Sequence, residues 1–345
     1  METRRERFDA EELAACLRHY DLGVIRSIRE FPRGSLRSPK LLIQSDRGRF
    51  LFKRRSPSGS DPAKVAFTHE LQQALAARNF PLPHLIPAKD DGETMLVLDG
   101  RIYEMFEYIE GHGYDGSLDA TYHSGRSLAL YHKLLEDFRS DYQPPRGSYH
   151  GASSIQQSIG QTVGSLPTDT RPPQEILTAT VRVLEQNYRH CAQKADEAGL
   201  DGWDSQIAHG DWHPGNMLFH HHQVVAVIDY DAARDQQRVI DVANGALQFS
   251  IIGGTDDLSK WPGHLDESRF KRFVRGYESV NLISRGEVQV IPYLMCEAMI
   301  AESVLPIAAT GSFGRMEGFP FLLMVERKVR WILGHLDELY AAMAE

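Results

Sequence analysis

Over the first hundred residues the apolar positions come in short alternating runs, and beyond residue 116 they shift to longer, helix-spaced runs. Leu13 and Leu17, four apart, predict a short helix near Asp9–Tyr20. The segments Gly23–Glu30, Lys40–Gln44 and RFLFKRR read as strands, the last two joined by the turn Ser45-Asp46-Arg47-Gly48. Ser60-Asp61-Pro62 offers an N-cap followed by proline at the first helical position. The helix it starts runs to about Asn79 with Val65, Leu71 and Leu75 on one side, and PLPHLIP breaks it. Two more strands, Thr94–Leu98 and Arg101–Tyr108, flank Asp99-Gly100.

Asp119–Asp137 is a long amphipathic helix candidate, and Ile176–Ala198 is another. Between them, residues 139–175 are rich in Ser, Gly, Pro and Gln with little periodicity, which predicts a long loop or a mobile insertion. From Asp241 onward helices dominate, and no internal repeat is present. The order predicts an α+β, bilobal layout: a small antiparallel-sheet N-lobe with one helix (1–106), a hinge (107–112) and a larger, mostly helical C-lobe (113–345). Chemistry is expected at the seam.

Composition narrows the class. A chain of 345 residues, 42% hydrophobic and 25% charged, is long enough for two lobes and ordinary for a soluble protein. No run of eighteen apolar residues occurs, and METRRERFDAEEL has no apolar leader core, so neither a membrane partner nor a secretory signal is expected. Cys16, Cys191 and Cys296 are far apart and odd in number, which fits reduced thiols in a cytoplasmic protein. The net charge of −9 argues against a nucleic-acid partner. Residues 1–106 carry 18 Lys/Arg against 15 Asp/Glu, and the remainder 20 against 32. A mildly basic first part and an acidic second part suit an anionic nucleotide and a neutral or cationic acceptor. Acidic runs such as Asp256-Asp257 are equally read as solvated surface. Oligomeric state has no signature in the sequence.

The most specific segment is AHGDWHPGNMLFHHHQVVAVIDYD, Ala208–Asp231. His209-Gly210-Asp211, then four residues, then Asn216, has the spacing of the kinase catalytic loop, H-x-D-x-x-x-x-N. MLF, three histidines and VVAVID follow as strand, turn and strand, setting Asn216 and Asp229 side by side at the strand ends. Phosphoryl transfer from ATP needs such a set: one carboxylate for the acceptor hydroxyl, and an Asn oxygen and second carboxylate for Mg²⁺. The plainer reading makes His209 and Asp211 a turn and cap. His220, His221 and His222 sit on one turn, cannot converge on a single ion, and read as exposed.

In the first lobe, Lys53 of FLFKRR and Glu70 of THELQQAL are placed as a strand lysine and helix glutamate that hold the α- and β-phosphates. Arg54 and Arg55 rival Lys53, and strand alternation favours Lys53, which shares a face with Leu51. Glu70 could equally be an exposed helix residue. The nucleotide loop falls at Phe31–Ser38, where Gly34 and Ser35 are the candidate phosphate contacts. His132 and the Met-rich IPYLMCEAMI read as helix and core.

HGDWHPGN followed by IDYD resembles the superfamily of aminoglycoside phosphotransferases, choline kinases and type II homoserine kinases, which has a protein-kinase-like fold. The resemblance implies Asp211 as catalytic base, Asn216 and Asp229 as metal ligands, and His209 as structural support. It implies a hinge in MFEYIEGH whose backbone at Glu107, Tyr108 and Ile109 pairs with adenine. It also implies that Asp241 anchors the catalytic loop from below, where an ordinary N-cap is the alternative. His213 could touch substrate, and Asp231 could face the acceptor, a second metal or solvent.

The expected function is ATP- and Mg²⁺-dependent transfer of the γ-phosphoryl group to a hydroxyl of a small molecule such as an amino alcohol or amino sugar. A bacterial Ser/Thr protein kinase of the same superfamily, and a non-catalytic nucleotide-binding module, are the alternatives.

Overall fold

The computed structural model describes residues 5–169, 171–255 and 257–344. Asp256 of the acidic run at 256–257 therefore lies outside the described residues. The chain forms two compact units: Met1–Gly113 with 134–145 and Asn216–Ala233, and Tyr114–Lys133 with Arg146–Gly215 and Arg234–Glu345. The sequence placed all of 113–345 in one lobe. Two later segments instead rejoin the first unit.

In the first unit, helix α1 (Ala10–Leu17) starts where the Asp9 side chain accepts the Glu12 N–H at 2.8 Å. A five-stranded antiparallel sheet follows, β1 (Ile25–Glu30), β2 (Lys40–Ser45), β3 (Arg49–Arg54), β4 (Met95–Leu98) and β5 (Arg101–Glu107), in the order β1-β2-β3-β5-β4. Asp99 and Gly100 both take positive φ, as the tight β4–β5 turn demands. One sheet face buries Ile43, Phe52, Tyr103 and Met105 with Tyr20 and Leu22, and Phe52 stacks on Tyr103 with ring centroids 5.8 Å apart. Helix α2 (Pro62–Ala76), capped by Asp61, packs Val65, Leu71 and Leu75 inward.

The second unit opens with α3 (Leu118–Leu134), then α4 (Ser153–Ser165) and α5 (Gln174–Glu197). Helix α4 corrects the expectation of a loop over 139–175. Ile155, Ile159 and Thr162 are buried at positions i, i+4 and i+7, a stripe too narrow to stand out among serines and glutamines. Strands β6 (Gln206–Ala208) and β9 (Arg234–Gln236) pair antiparallel; between them in the chain, β7 (Met217–His220) and β8 (Gln223–Val227) form a hairpin in the first unit. Helices α6 (Arg238–Ser250), α7 (Glu267–Glu278) and α8 (Arg285–Thr310) follow, then the two-residue strands β10 (Ser312–Phe313) and β11 (Met316–Glu317), α9 (Gly318–Gly334) and α10 (Leu336–Ala344).

Helix α8 is the axis of this unit, with α4, α5, α6 and α9 packed against it. It starts at a Ser284–Glu287 capping box and contains Pro292 and Pro306. By length and composition it could cross a membrane, yet 78% of its most apolar stretch is buried inside the protein, as in a core helix. Helices α3 and α7 cross at touching distance. A Cβ on Gly125 would lie 2.0 Å from the Phe273 carbonyl oxygen, and one on Gly276 2.0 Å from that of Tyr122. Only glycine permits that approach.

The segment leading into α4 is clamped by His150, whose Nδ1 lies 2.9 Å from a buried Glu297 oxygen and whose Nε2 lies 3.0 Å from Asp196. His150, Asp196 and Asp201 are spaced as a metal set could be, but both imidazole nitrogens are committed to carboxylates, so an ion-pair clamp describes the cluster. Burial would lower the His150 pKa. Glu297 and Asp196 outweigh it and raise it from 6.5 to about 9. A raised folded pKa gives stability that is complete below the unfolded value and lost as pH climbs through the folded one. We expect stability to decline between about pH 6.5 and 9, measured by denaturant midpoints. His150→Gln should cost about 1.5–3 kcal/mol at pH 6 and flatten that decline. An unchanged slope in the variant would refute the assignment.

Candidate active site

The cation centre of the first unit follows from sheet register. Lys40 pairs with Lys53 across β2 and β3, and Lys53 with Glu104 across β3 and β5, so the three side chains share one sheet face. Lys53 Nζ stands 3.4 Å from Glu104 Oε2, and Glu104 is fully buried. Arg55, two residues along the same face, donates to Glu104 Oε1 at 2.8 Å and meets Asp231 at 2.8 Å. His69 of α2 lies 2.8 Å from the same Oε1 and 2.9 Å from Thr94. Burial alone would raise the Glu104 pKa; the Lys53 charge, the His69 hydrogen bond and the Arg55 charge outweigh it and hold the acid well below the usual range.

The partner expected for Lys53, Glu70, is elsewhere. Its carboxylate accepts from the Ser140 hydroxyl and from the Asp141 N–H at 3.1 Å. Glu70 follows His69 by one residue, about 100° around the helix, so only one of the two can face the strands. The helix presents a histidine to a strand glutamate, reversing the expected division of roles. Arg54, the other rival of Lys53, faces the opposite side and binds Glu12 and Glu6. Asp231, expected toward the acceptor, a second metal or solvent, lies against Arg55 and 3.8 Å from Lys53.

The β1–β2 loop is pinned from below by Arg5, which donates to the carbonyls of Pro32 at 2.8 Å, Ser35 at 3.2 Å and Gly34 at 3.3 Å. Gly34 has φ +82, and a Cβ there would fall 2.5 Å from Lys40 Nζ. Lys40 is thus held under the loop. Burial lowers its pKa, the Lys53 charge adds to that, and Asp229 and Asp231 oppose it. Ser35 spends its hydroxyl oxygen on the Arg37 N–H, 3.2 Å away. In the linker, the Glu107 N–H goes to the His84 carbonyl and the Tyr108 N–H to that of Arg49. Their amides are therefore taken, whereas the Ile109 N–H has no backbone acceptor among the described residues.

Asn216 and Asp229 flank the open end of the β7–β8 hairpin, closed by Ile228 N–H to the Asn216 carbonyl at 2.9 Å. His221 and His222 take φ of 47° and 62° at the opposite, exposed turn. Asp229 itself sits at φ 67°, ψ 71°, a left-handed conformation that strains a non-glycine residue and recurs at ligand sites. An amide oxygen and a carboxylate are hard donors of the type Mg²⁺ takes, so this pair fits the ion chemically.

In the second unit, Asp241 organises the HGD loop. Its carboxylate accepts the backbone N–H of His209 at 2.6 Å and of Gly210 at 2.9 Å, and it meets His132 Nε2 at 3.3 Å. It lies inside α6, whose N-cap is Gln237, so the capping alternative falls. Burial would raise its pKa, but His132, His209 and the Gly210 N–H bring it below the ordinary value. His209 is buried edge-on against Trp212, ring centroids 5.3 Å apart, and its Nδ1 accepts the Asp211 N–H at 3.3 Å. Gly210 takes φ +76, which turns the chain between them. The Asp211 side chain is left 42% exposed, with His213 Nε2 3.5 Å away. His213 Nδ1 in turn accepts the Gly215 N–H at 3.0 Å. The loop is fixed by buried groups while its carboxylate stays accessible.

Glu104, His69 and Glu302 are not singled out by sequence, and His132, read there as helix and core, is indeed buried in α3 but also meets Asp241. Glu104 in RIYEMFE and Glu302 in IAESVLP did carry a signal, an acid inside an apolar element, which requires a partner or a function.

The family model for phosphotransferase enzymes matches residues 27–287. A homoserine kinase from Acidiphilium cryptum (strain JF-5) is 25% identical over 304 residues, 84% of this chain and 83% of its own. Among solved structures, a microcompartment-associated aminopropanol kinase superposes with a TM-score of 0.69 at 16% identity, covering 96% of this chain and 98% of its own. The amicoumacin kinase hAmiN, solved with AMP-PNP, Ca²⁺ and Ami, gives 0.67 at 12% identity, with coverage of 96% and 94%. These neighbours establish the α+β protein-kinase-like fold, and the family match sets aside the reading as a non-catalytic module. With that match covering well over half of its length, this chain belongs to the phosphotransferase enzyme family and is a kinase with an alcohol group as acceptor.

Proposed function

We propose that the protein transfers the γ-phosphoryl group of ATP to a hydroxyl of a small, amine-bearing molecule, with Asp211 as catalytic base. The observation that carries the reading is the clamp of Asp241 on the His209 and Gly210 amides, which holds an exposed Asp211 on a rigid loop. Lys53, steadied by Glu104, supplies positive charge for phosphate oxygens, and Ile109 supplies for adenine an amide that has no backbone acceptor among the described residues. Asn216 and Asp229 would hold Mg²⁺, which when bound neutralises phosphate charge. Asp211 orients the acceptor hydroxyl and takes its proton as the oxygen attacks phosphorus. The names of the relatives, homoserine kinase and aminopropanol kinase, favour a small acceptor carrying an amine.

Labelled ATP incubated with the protein and a panel of amino alcohols, hydroxy amino acids and amino sugars tests this. Label should appear in at least one small product, vanish on chelation and return with Mg²⁺. Bound Mg-ATP with no transfer to any member, or label confined to protein, would sink the proposal.

A further inference from the structure

The helical unit contains a cavity of about 180 Å³ whose wall is apolar and aromatic but for a few polar groups, the only charged one among the described residues being Glu302. Trp261, Phe313, Phe321 and Met316 form much of the lining, and Phe313 stacks on Phe321 with ring centroids 4.0 Å apart. Trp261 is held by its indole N–H on the Thr255 carbonyl at 2.9 Å. No lysine or arginine lines the cavity among the described residues. Glu302 takes a hydrogen bond from Gln248, and Asn244 also bonds to it. These neutral donors leave its charge without a full counter-ion. Burial and the nearby Asp211 carboxylate raise its pKa to about 7, and His213 offsets this only in part.

That arrangement selects a ligand. A carboxylate in an apolar wall, near a second carboxylate that needs a hydroxyl, is completed by a molecule with an ammonium at one end and a hydroxyl at the other. The aromatic faces favour a cation further. An α-carboxylate on the same molecule would meet Glu302 with no lysine or arginine in the wall to balance it.

Building on the function proposed above, we propose that this cavity is the acceptor site and that it takes a small cationic amino alcohol with an apolar body, its ammonium on Glu302 and its hydroxyl toward Asp211. Hydroxy amino acids are excluded.

Titration calorimetry on the full chain with a non-hydrolysable nucleotide tests binding apart from turnover. Three probes suffice: an amino alcohol of four to six carbons, the matching diol, and the matching hydroxy amino acid. The amino alcohol should bind at least about tenfold tighter than either, the scale of one charge-assisted hydrogen bond. Glu302→Gln should erase that preference and change diol affinity less than about twofold. Met316→Trp, on the short hairpin, should weaken the amino alcohol by narrowing the cavity if Glu302→Gln fails to fold. Equal binding of the hydroxy amino acid, or an amine preference that survives Glu302→Gln, overturns the assignment. Phosphoryl transfer to diols and amino alcohols alike would do the same while leaving the kinase reading intact. Glu302-dependent amine binding without transfer to any hydroxyl would instead overturn the kinase reading.

Discussion

Asp211→Asn should reduce kcat by about 10²- to 10⁴-fold, the usual contribution of a positioned base. That equals about 2.7–5.5 kcal/mol of transition-state stabilisation. The amide keeps the size of the carboxylate and can still meet the hydroxyl, but it cannot take the proton. The loop backbone is held by Asp241 through its amides and by the buried rings of His209 and Trp212. The unfolding midpoint and the affinity for Mg-ATP should therefore stay within error of the parent. Asp229→Asn is the contrasting variant, expected to weaken Mg-ATP binding itself. Turnover of Asp211→Asn within tenfold of the parent would show that the loop serves something other than proton removal.

Glu104→Gln should have the largest effect on stability. The carboxylate is fully buried and is shared by Lys53, Arg55 and His69. Neutralising it leaves two permanent cations facing each other with Asp231, 41% exposed, as their remaining acid. Breaking a buried ion pair from one side costs about 3–5 kcal/mol. Urea denaturation at pH 7 should show a loss of that size. The sign against pH is fixed by the depressed Glu104 pKa. Its contribution is complete above the unfolded value near 4.5 and is lost as pH falls below it, so parent and variant should converge in acid. A double-mutant cycle with Lys53→Met should return a coupling above about 0.5 kcal/mol. A loss under about 1 kcal/mol for Glu104→Gln, or additive effects, would mean that the cluster is solvated and the pairing incidental.

What could be read from sequence was whatever is set within one short stretch of chain. The spacing from His209 through Asp211 to Asn216 belongs to one loop, and the strand–turn–strand that brings Asp229 to Asn216 belongs to one hairpin, so local geometry already implies the chemistry. Lys53 was legible because strand alternation assigns it a face. Its partner was not, since pairing Lys53 with Glu104 depends on the register of β3 against β5, and turning Glu70 away depends on the rotation of α2. Helix α4 escaped notice because a stripe of Ile155, Ile159 and Thr162 becomes a core only when α8 is there to cover it. The choice of Asp241 as anchor, and the placing of Glu302 where the Asp211 charge acts on it, are likewise decisions of tertiary packing. Burial makes a lone charge intolerable, and which charges share one buried space is settled only when the elements are assembled.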